Sequence, residues 1–315
     1  MDKVKVGVIG VGSMGKNHVR SYAALKHVCE LVGIYDIDQE QSKEMAKSYG
    51  VKSFSSIKEL LEEVDAVNIA TPTTTHYDIA LQAIKAGKHI LIEKPITNKI
   101  DEANEILEKA KKKKLIVQVG HIERFNPAIK ALPDMLREEE IVAIDVQRMG
   151  PYDPRIDDTD VIQDLMIHDI DVVSSIIDSD IVEVNAFARK VASQEHMDFA
   201  VANYQTENDV IVTLTSSRAT NKKVRKMSIT TEKSFIELDY LGRKITRTRR
   251  GNGESNKNKQ REYEETYENE EEPLKMQLIH FVNSIENKTQ PLITGHDGLA
   301  ALKLIKLIQS KVYED

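Results

Sequence analysis

The chain has 315 residues, 40% of them hydrophobic and 30% charged, with a formal net charge of −7. That length exceeds what one compact core organises and predicts two domains, and the negative balance argues against nucleic acid or an anionic membrane as the main partner. The sequence contains no run apolar enough to span a bilayer. It begins on a strand pattern rather than a leader, and its single Cys29 leaves no internal disulfide, so a cytoplasmic setting is expected.

The β-branched run Val4, Val6, Val8 and Ile9 predicts a buried strand that feeds at once into Gly10-x-Gly12-x-x-Gly15. A helix over 13–25 follows. In that context Gly10 permits the tight turn, Gly12 lets the backbone approach a pyrophosphate, and Gly15 lets helix and strand pack closely. The N–H groups at the helix start, over Ser13 and Met14, are then aimed at an anion. The second strand, 31–35, ends at Asp36, about 20 residues past the last glycine, where a carboxylate binds an adenosine ribose. Asp36, with Asp38 beyond it, opposes a 2′-phosphate, so the expected cofactor is NAD rather than NADP.

Helices over 39–49, 56–61, 75–86 and 100–114 then alternate with strands over 51–54, 65–70, 89–92 and 115–119. This rhythm predicts a doubly wound parallel sheet, a Rossmann-type α/β domain over 1–120. Lys111–Lys114 is expected to be a solvated helix end, where cations meet the negative end of the helix dipole.

From residue 121 the grammar changes. Strands over 141–148, 182–189, 199–205, 210–217, 225–231, 235–240 and 244–249 follow one another, with one clear helix, 161–177, among the early ones. This predicts a second, α+β domain over 121–315 with a mostly antiparallel open sheet. The polar, charged segment 251–272 reads as a mobile hairpin extension, and helices over 273–286 and 296–313 end the chain.

Two places concentrate chemistry. The strand 89–92 runs into Glu93-Lys94-Pro95, and in a doubly wound sheet ligands bind beyond the C-terminal strand ends, so Lys94 is expected to project toward the nicotinamide. On a helical wheel for 161–177, Asp164, His168, Asp171 and Ser175 share about 60° of arc on an otherwise apolar helix. Gln163, Asp169 and Ser174 fall outside that stripe. A lysine, a histidine and an aspartate beside a nicotinamide suit alcohol oxidation: His168 takes the hydroxyl proton, Lys94 stabilises the developing alkoxide and Asp164 orients His168. The histidines show no metal-ligand spacing, so no metal is expected.

Taken together, the glycine turn with His18 after it, Ala70-Thr71-Pro72 with His76, Glu93-Lys94-Pro95, and Asp164-x-x-x-His168-Asp169-Ile170-Asp171 resemble the glucose–fructose oxidoreductase, inositol dehydrogenase and MocA family. The resemblance covers nearly the whole chain. It implies catalytic roles for Lys94 and His168, and a cofactor-side loop with Thr71, Pro72 and His76, to which Glu93 is added. It further implies a homodimer or homotetramer packed through the C-terminal sheet.

Gly120-His121-Ile122-Glu123-Arg124-Phe125-Asn126-Pro127 and the stretch from Gly150 to Arg155 resemble more narrowly the UDP-N-acetylglucosamine 3-dehydrogenase group, from which residues 158–162 depart. That resemblance makes Glu123, Arg124, Asn126 and Arg155 the expected substrate contacts. Arg124 stays open between a substrate phosphate and an interdomain salt bridge. Three readings follow. The chain is a nucleotide-sugar dehydrogenase, a dehydrogenase of a free polyol or sugar such as inositol, or a non-catalytic NAD-binding regulator.

Overall fold

The computed structural model describes residues 3–153, 159–249, 261–266 and 272–313. The chain divides into two compact units, Met1–Phe125 with Glu271–Leu302, and Asn126–Glu270 with Lys303–Asp315. The second half of the chain is therefore not one body, as a division at residue 120 supposes.

In the first unit the strands are β1 (Lys5–Ile9), β2 (Glu30–Tyr35), β3 (Lys52–Ser53), β4 (Ala66–Ile69), β5 (His89–Ile92) and β6 (Val117–Val119). Between them run α1 (Ser13–Ala24), α2 (Gln39–Tyr49), α3 (Ile57–Glu63), α4 (His76–Lys85) and α5 (Ile100–Lys112). All strand pairs are parallel, in the order β3-β2-β1-β4-β5-β6. The order reverses between β1 and β4, and that switch point opens a crevice at the C-terminal strand ends. The residues after β1, β4 and β5 are Gly10, Ala70 and Glu93, so the three motifs arrive at one edge of one sheet. Several helices start where local chemistry dictates. Asp38 caps α2 by accepting from the N–H groups of Glu40 and Gln41, and Ser56 caps α3 through Glu59.

A 3-10 turn at Ile122–Phe125 leads out of β6. In the second unit, α6 (Pro127–Leu136) is a helix that a strand-by-strand reading passes over. Its signal is present in the sequence, since Asn126 accepts from the N–H of Ala128 as the cap and Pro127 occupies the first turn.

The sheet that follows contains β7 (Ile141–Met149), β8 (Ile181–Arg189), β9 (Phe199–Thr206), β10 (Ile211–Ser217), β11 (Val224–Thr231), β12 (Ser234–Asp239), β13 (Lys244–Arg249) and β14 (Arg261–Thr266). Its order is β14-β13-β12-β11-β7-β10-β9-β8, antiparallel throughout except for β7 against β10. Alternation decides the faces: Ile144, Val146, Val212, Leu214, Ile229 and Ile236 are buried, whereas Phe187, Ile211 and Phe235 stand exposed on the other side. β14 shows that part of the 251–272 extension pairs with β13. The rest of that extension, and Arg155, lie outside the described residues.

The helix expected over 161–177 is two structures. Ile162–Met166 is a π turn, closed by the N–H of Ile167 on the carbonyl of Ile162, and only Ile167–Ile176 is α-helical (α7). A π turn holds more residues than an α turn, so the arc drawn for Asp164 on a uniform wheel does not carry over.

The chain returns to the first unit through α8 (Pro273–Asn287), whose Leu274, Leu278, Phe281 and Val282 join Val6, Val8, Val19 and Tyr22 in one core. The last helix, α9 (Gly295–Tyr313), begins in the first unit and ends in the second. Hydrophobic burial is thus why residues 271–302 leave the domain that precedes them in sequence. Phe281 is fully buried. Phe281→Ala is expected to cost about 3–5 kcal/mol of stability, read by denaturant unfolding with an unchanged m value.

Candidate functional site

Gly10 adopts φ +90°, a left-handed conformation that a Cβ would strain, and a Cβ there would lie 2.7 Å from the carbonyl oxygen of Ala70. A Cβ on Gly15 would lie 2.0 Å from the carbonyl oxygen of Gly10. Only glycine lets α1 start this close to β1. At Gly12, by contrast, no atom lies within 4 Å of where a Cβ would stand, and no side chain caps α1. The uncapped start of α1 at exposed Ser13 and Met14 therefore leaves N–H groups that an anion can meet.

Asp36 ends β2 with its oxygens already oriented. Oδ2 accepts from the N–H of Val11 at 2.6 Å and Oδ1 from that of Asp38 at 2.8 Å. Each oxygen keeps a lone pair for a ribose hydroxyl. Open backbone at the glycine turn and a carboxylate fixed beside it fit a dinucleotide.

The loops after β4 and β5 are tied together by His76. This residue is 1% exposed, and its ring nitrogens meet the carbonyls of Pro95 at 2.9 Å and Thr71 at 3.0 Å. Burial pushes its pKa below the ordinary histidine value, although the two carbonyls favour the charged ring. With its nitrogens at these two backbone carbonyls, His76 sets the spacing of the Thr71-Pro72 and Lys94-Pro95 loops.

Glu93 is 7% exposed and its Oε1 lies 2.6 Å from Nε2 of fully buried His18. Burial would raise its pKa, but the His18 hydrogen bond and the charges of His18, Lys94 and His76 hold it below the usual carboxylate range. Glu93 is thus an internal anion rather than a group offered to a ligand. Lys94 beside it is half-buried, and the Lys94–Pro95 peptide is cis.

In the second unit Asp164 and His168 are both half-buried, on the π turn and the first turn of α7. Asp169, outside the polar stripe in the wheel, is buried and paired with Arg148: Nε reaches its carboxylate oxygens at 2.9 and 3.0 Å, and Nη2 reaches Oδ1 at 2.8 Å. The guanidinium of Arg148 also lies 5.2 Å from the Tyr240 ring. This bidentate pair fixes the start of α7 against β7, and so orients the turn that carries His168.

Two expected substrate contacts have structural partners. Nη2 of Arg124 lies 3.1 Å from Oδ1 of Asp297 within the first unit, so the salt bridge exists but does not join two domains. Burial would raise the pKa of Asp297, but its bonds with Thr294 and the Arg124 charge hold it down. Asn126 is 5% exposed, with Oδ1 taken by the cap and Nδ2 donating to the carbonyl of Tyr240. Its amide holds the start of α6. Glu123 is half-buried on the turn between them. Among the described residues, no group of three or more His, Cys, Asp or Glu is placed to hold a metal, and no helix is long and apolar enough to cross a membrane. Cys29 is buried and its thiol is pushed up to about 11, chiefly by burial, which makes it inert.

A family model described as an oxidoreductase family with an NAD-binding Rossmann fold matches residues 4–121, and the C-terminal domain model of the same family matches residues 142–237. The UDP-N-acetylglucosamine 3-dehydrogenase of Acidithiobacillus ferrooxidans is 36% identical over 80% of this chain and 79% of its own length. A solved structure of the enzyme of that name from the same organism superposes with a TM-score of 0.91 at 31% identity, covering 99% of this chain and 98% of that one. The myo-inositol 2-dehydrogenase of Thermotoga maritima is 26% identical over 96% of this chain and 94% of its own.

The anionic Asp36 at the adenosine end has a direct consequence. NAD is expected to bind at least tenfold more tightly than NADP, or about 1.4 kcal/mol, by titration calorimetry. The glycine turn, the fixed carboxylate and the matches along both halves lead to one conclusion: the chain belongs to the Gfo/Idh/MocA family and is an NAD-binding oxidoreductase.

Proposed function

We propose that this oxidoreductase oxidises the 3-hydroxyl of a UDP-linked N-acetylhexosamine. The observation that carries the reading is the 36% identity to a UDP-N-acetylglucosamine 3-dehydrogenase, against 26% to a myo-inositol 2-dehydrogenase. Bound NAD supplies the two-electron acceptor for the hydride that leaves the carbinol carbon. Lys94 donates a hydrogen bond to the substrate oxygen, favouring the alkoxide as it forms, and His168 accepts the hydroxyl proton. Asp164 orients the imidazole. The glycine turn with Ser13 and Met14 binds the pyrophosphate, Asp36 the adenosine ribose, and Thr71 and Pro72 flank the nicotinamide side. Glu123 and Arg155 remain the proposed sugar-nucleotide contacts. Arg124 would add one only by sharing its guanidinium with Asp297. A cytoplasmic homo-oligomer, associating through the exposed face of the β7–β14 sheet, completes the reading. Phe187, Ile211 and Phe235 stand exposed on that face.

Lys94→Ala and His168→Ala are each expected to lower turnover by at least ~100-fold while NAD affinity changes little, because the pyrophosphate is held by backbone. Near-normal turnover of His168→Ala across neutral pH would move the base to Lys94.

NADH formation should be faster with UDP-N-acetylglucosamine than with free N-acetylglucosamine or myo-inositol. The assay includes a parallel arm with 2-oxoglutarate, in case bound NADH needs reoxidation. Faster turnover of the free polyol would reassign the substrate to the inositol class.

A further inference from the structure

A cavity of about 500 Å³ lies in the second unit, where the end of α9 meets the segment that opens the π turn. Every side chain lining it carries a polar atom, so an incoming ligand meets hydrogen-bonding groups from all of them. Lys306 brings a formal positive charge and His196 an imidazole. The carboxylate of Asp160 is 5% exposed and already engaged: Oδ1 accepts from the N–H of Gln163 at 2.8 Å, and Oδ2 from Gln309 Nε2 at 2.9 Å and Tyr313 Oη at 3.0 Å. With that anion internally paired, the lining offers an incoming molecule a cation and hydrogen-bond donors.

The same residues form a relay of hydrogen bonds joined through the covalent frame of Asp160. Lys306 Nζ donates to Gln309 Oε1 at 3.2 Å, and Gln309 donates in turn to Asp160. The backbone carbonyl of Asp160 accepts from the N–H of Asp164 at 3.0 Å. One end of the relay is therefore the cation at the cavity, and the other is the backbone of the π turn. The preceding residue is held as well, since the carbonyl of Thr159 accepts from Arg218 Nη2 at 2.9 Å. Movement at the Lys306 end is thereby directed toward the turn.

We propose that this cavity is an effector site for a small oxyanion, a carboxylate or a phosphate, whose capture by Lys306 is transmitted through Gln309 and Asp160 to the turn bearing Asp164. The anion competes with Gln309 Oε1 for the Lys306 ammonium. A released Gln309 can then turn its amide away from Asp160, loosening the cap of the π turn. The coupling half of this proposal rests on the catalytic reading of Asp164 and His168; binding does not.

The test uses the full chain with NAD present. Titration calorimetry is run with inorganic phosphate and, separately, with citrate. Saturable binding of either supports the site: phosphate alone identifies a phosphate ligand, citrate alone a carboxylate, and both a site that reads charge. Lys306→Ala and His196→Ala, which lie on different elements, are each expected to weaken binding at least tenfold; His196→Ala leaves turnover without added anion unchanged, whereas Lys306→Ala, which also frees Gln309, shifts it toward the anion-bound value. Melting curves confirm that both variants fold.

In wild type, the bound anion should change kcat at saturating substrate, and Lys306→Ala should abolish that change. Failure of both anions to bind saturably, or binding that survives both substitutions, overturns the site. Binding without any change in kcat overturns the coupling. If the sugar assignment is wrong, the isotherms stand unaltered and only the turnover arm changes substrate.

Discussion

At the end of β1 the carbonyl of Gly10 occupies the space that a side chain on Gly15 would need, with 2.0 Å between that oxygen and the position of a Cβ. The approach has two consequences that the rest of the first unit depends on. It brings the uncapped start of α1 over the strand end, so its N–H groups face the crevice where the strand order reverses. It also places His18, one turn along α1, against Glu93 at the end of β5. A larger residue at Gly15 would push the helix away and remove both, whereas one at Gly10 would collide with Ala70 and Thr71.

Buried charge then does in each unit what glycine does at the turn. Arg148 with Asp169 and Arg218 with Asp198 in the second unit are ion pairs almost wholly removed from water, and in the first unit the buried Glu93 carboxylate is hydrogen-bonded to His18. Such pairs contribute little net stability, but stripping one partner leaves an uncompensated charge at a cost of about 3–5 kcal/mol. They therefore fix geometry more than they stabilise. Glu93 sits beside Lys94, and Asp169 beside His168, so Lys94 and His168 each have a sequence neighbour held in place. Arg218 and Asp198 serve the loop above them, with Oδ2 of Asp198 accepting from the N–H groups of Val191, Ala192 and Ser193.

A polar side chain near a site is thereby either a contact for ligand or a member of the frame, and burial separates the two. Asn126, Arg124 and His76 belong to the frame, because their hydrogen-bonding groups meet a cap, a carboxylate and two carbonyls. Ser13, Met14 and the backbone at Gly12 remain exposed and uncommitted. In the stretch 120–127, Arg124 and Asn126 thus have side-chain bonds that serve folding.

The amino-acid sequence by itself determined what depends on near neighbours. The alternation of β-branched strands with amphipathic helices predicts the parallel sheet, the glycine spacing predicts the phosphate turn, and Asp36 falls where strand geometry must put it. The succession of strands after residue 141 predicts the second sheet almost strand for strand, because side-chain period is a local property. Only the tertiary structure decided what depends on residues far apart in the chain. Arg124 finds Asp297, Asp160 finds Gln309 and Tyr313, and α8 returns to the first core through Phe281 and Leu278. The π turn under Asp164 belongs to the same class, since Asp160, which accepts from the N–H of Gln163 in that turn, is held by the far end of the chain. Pattern reports which side chains can be buried together; which partner satisfies a buried charge is settled only when the packed chain brings the two within hydrogen-bond distance.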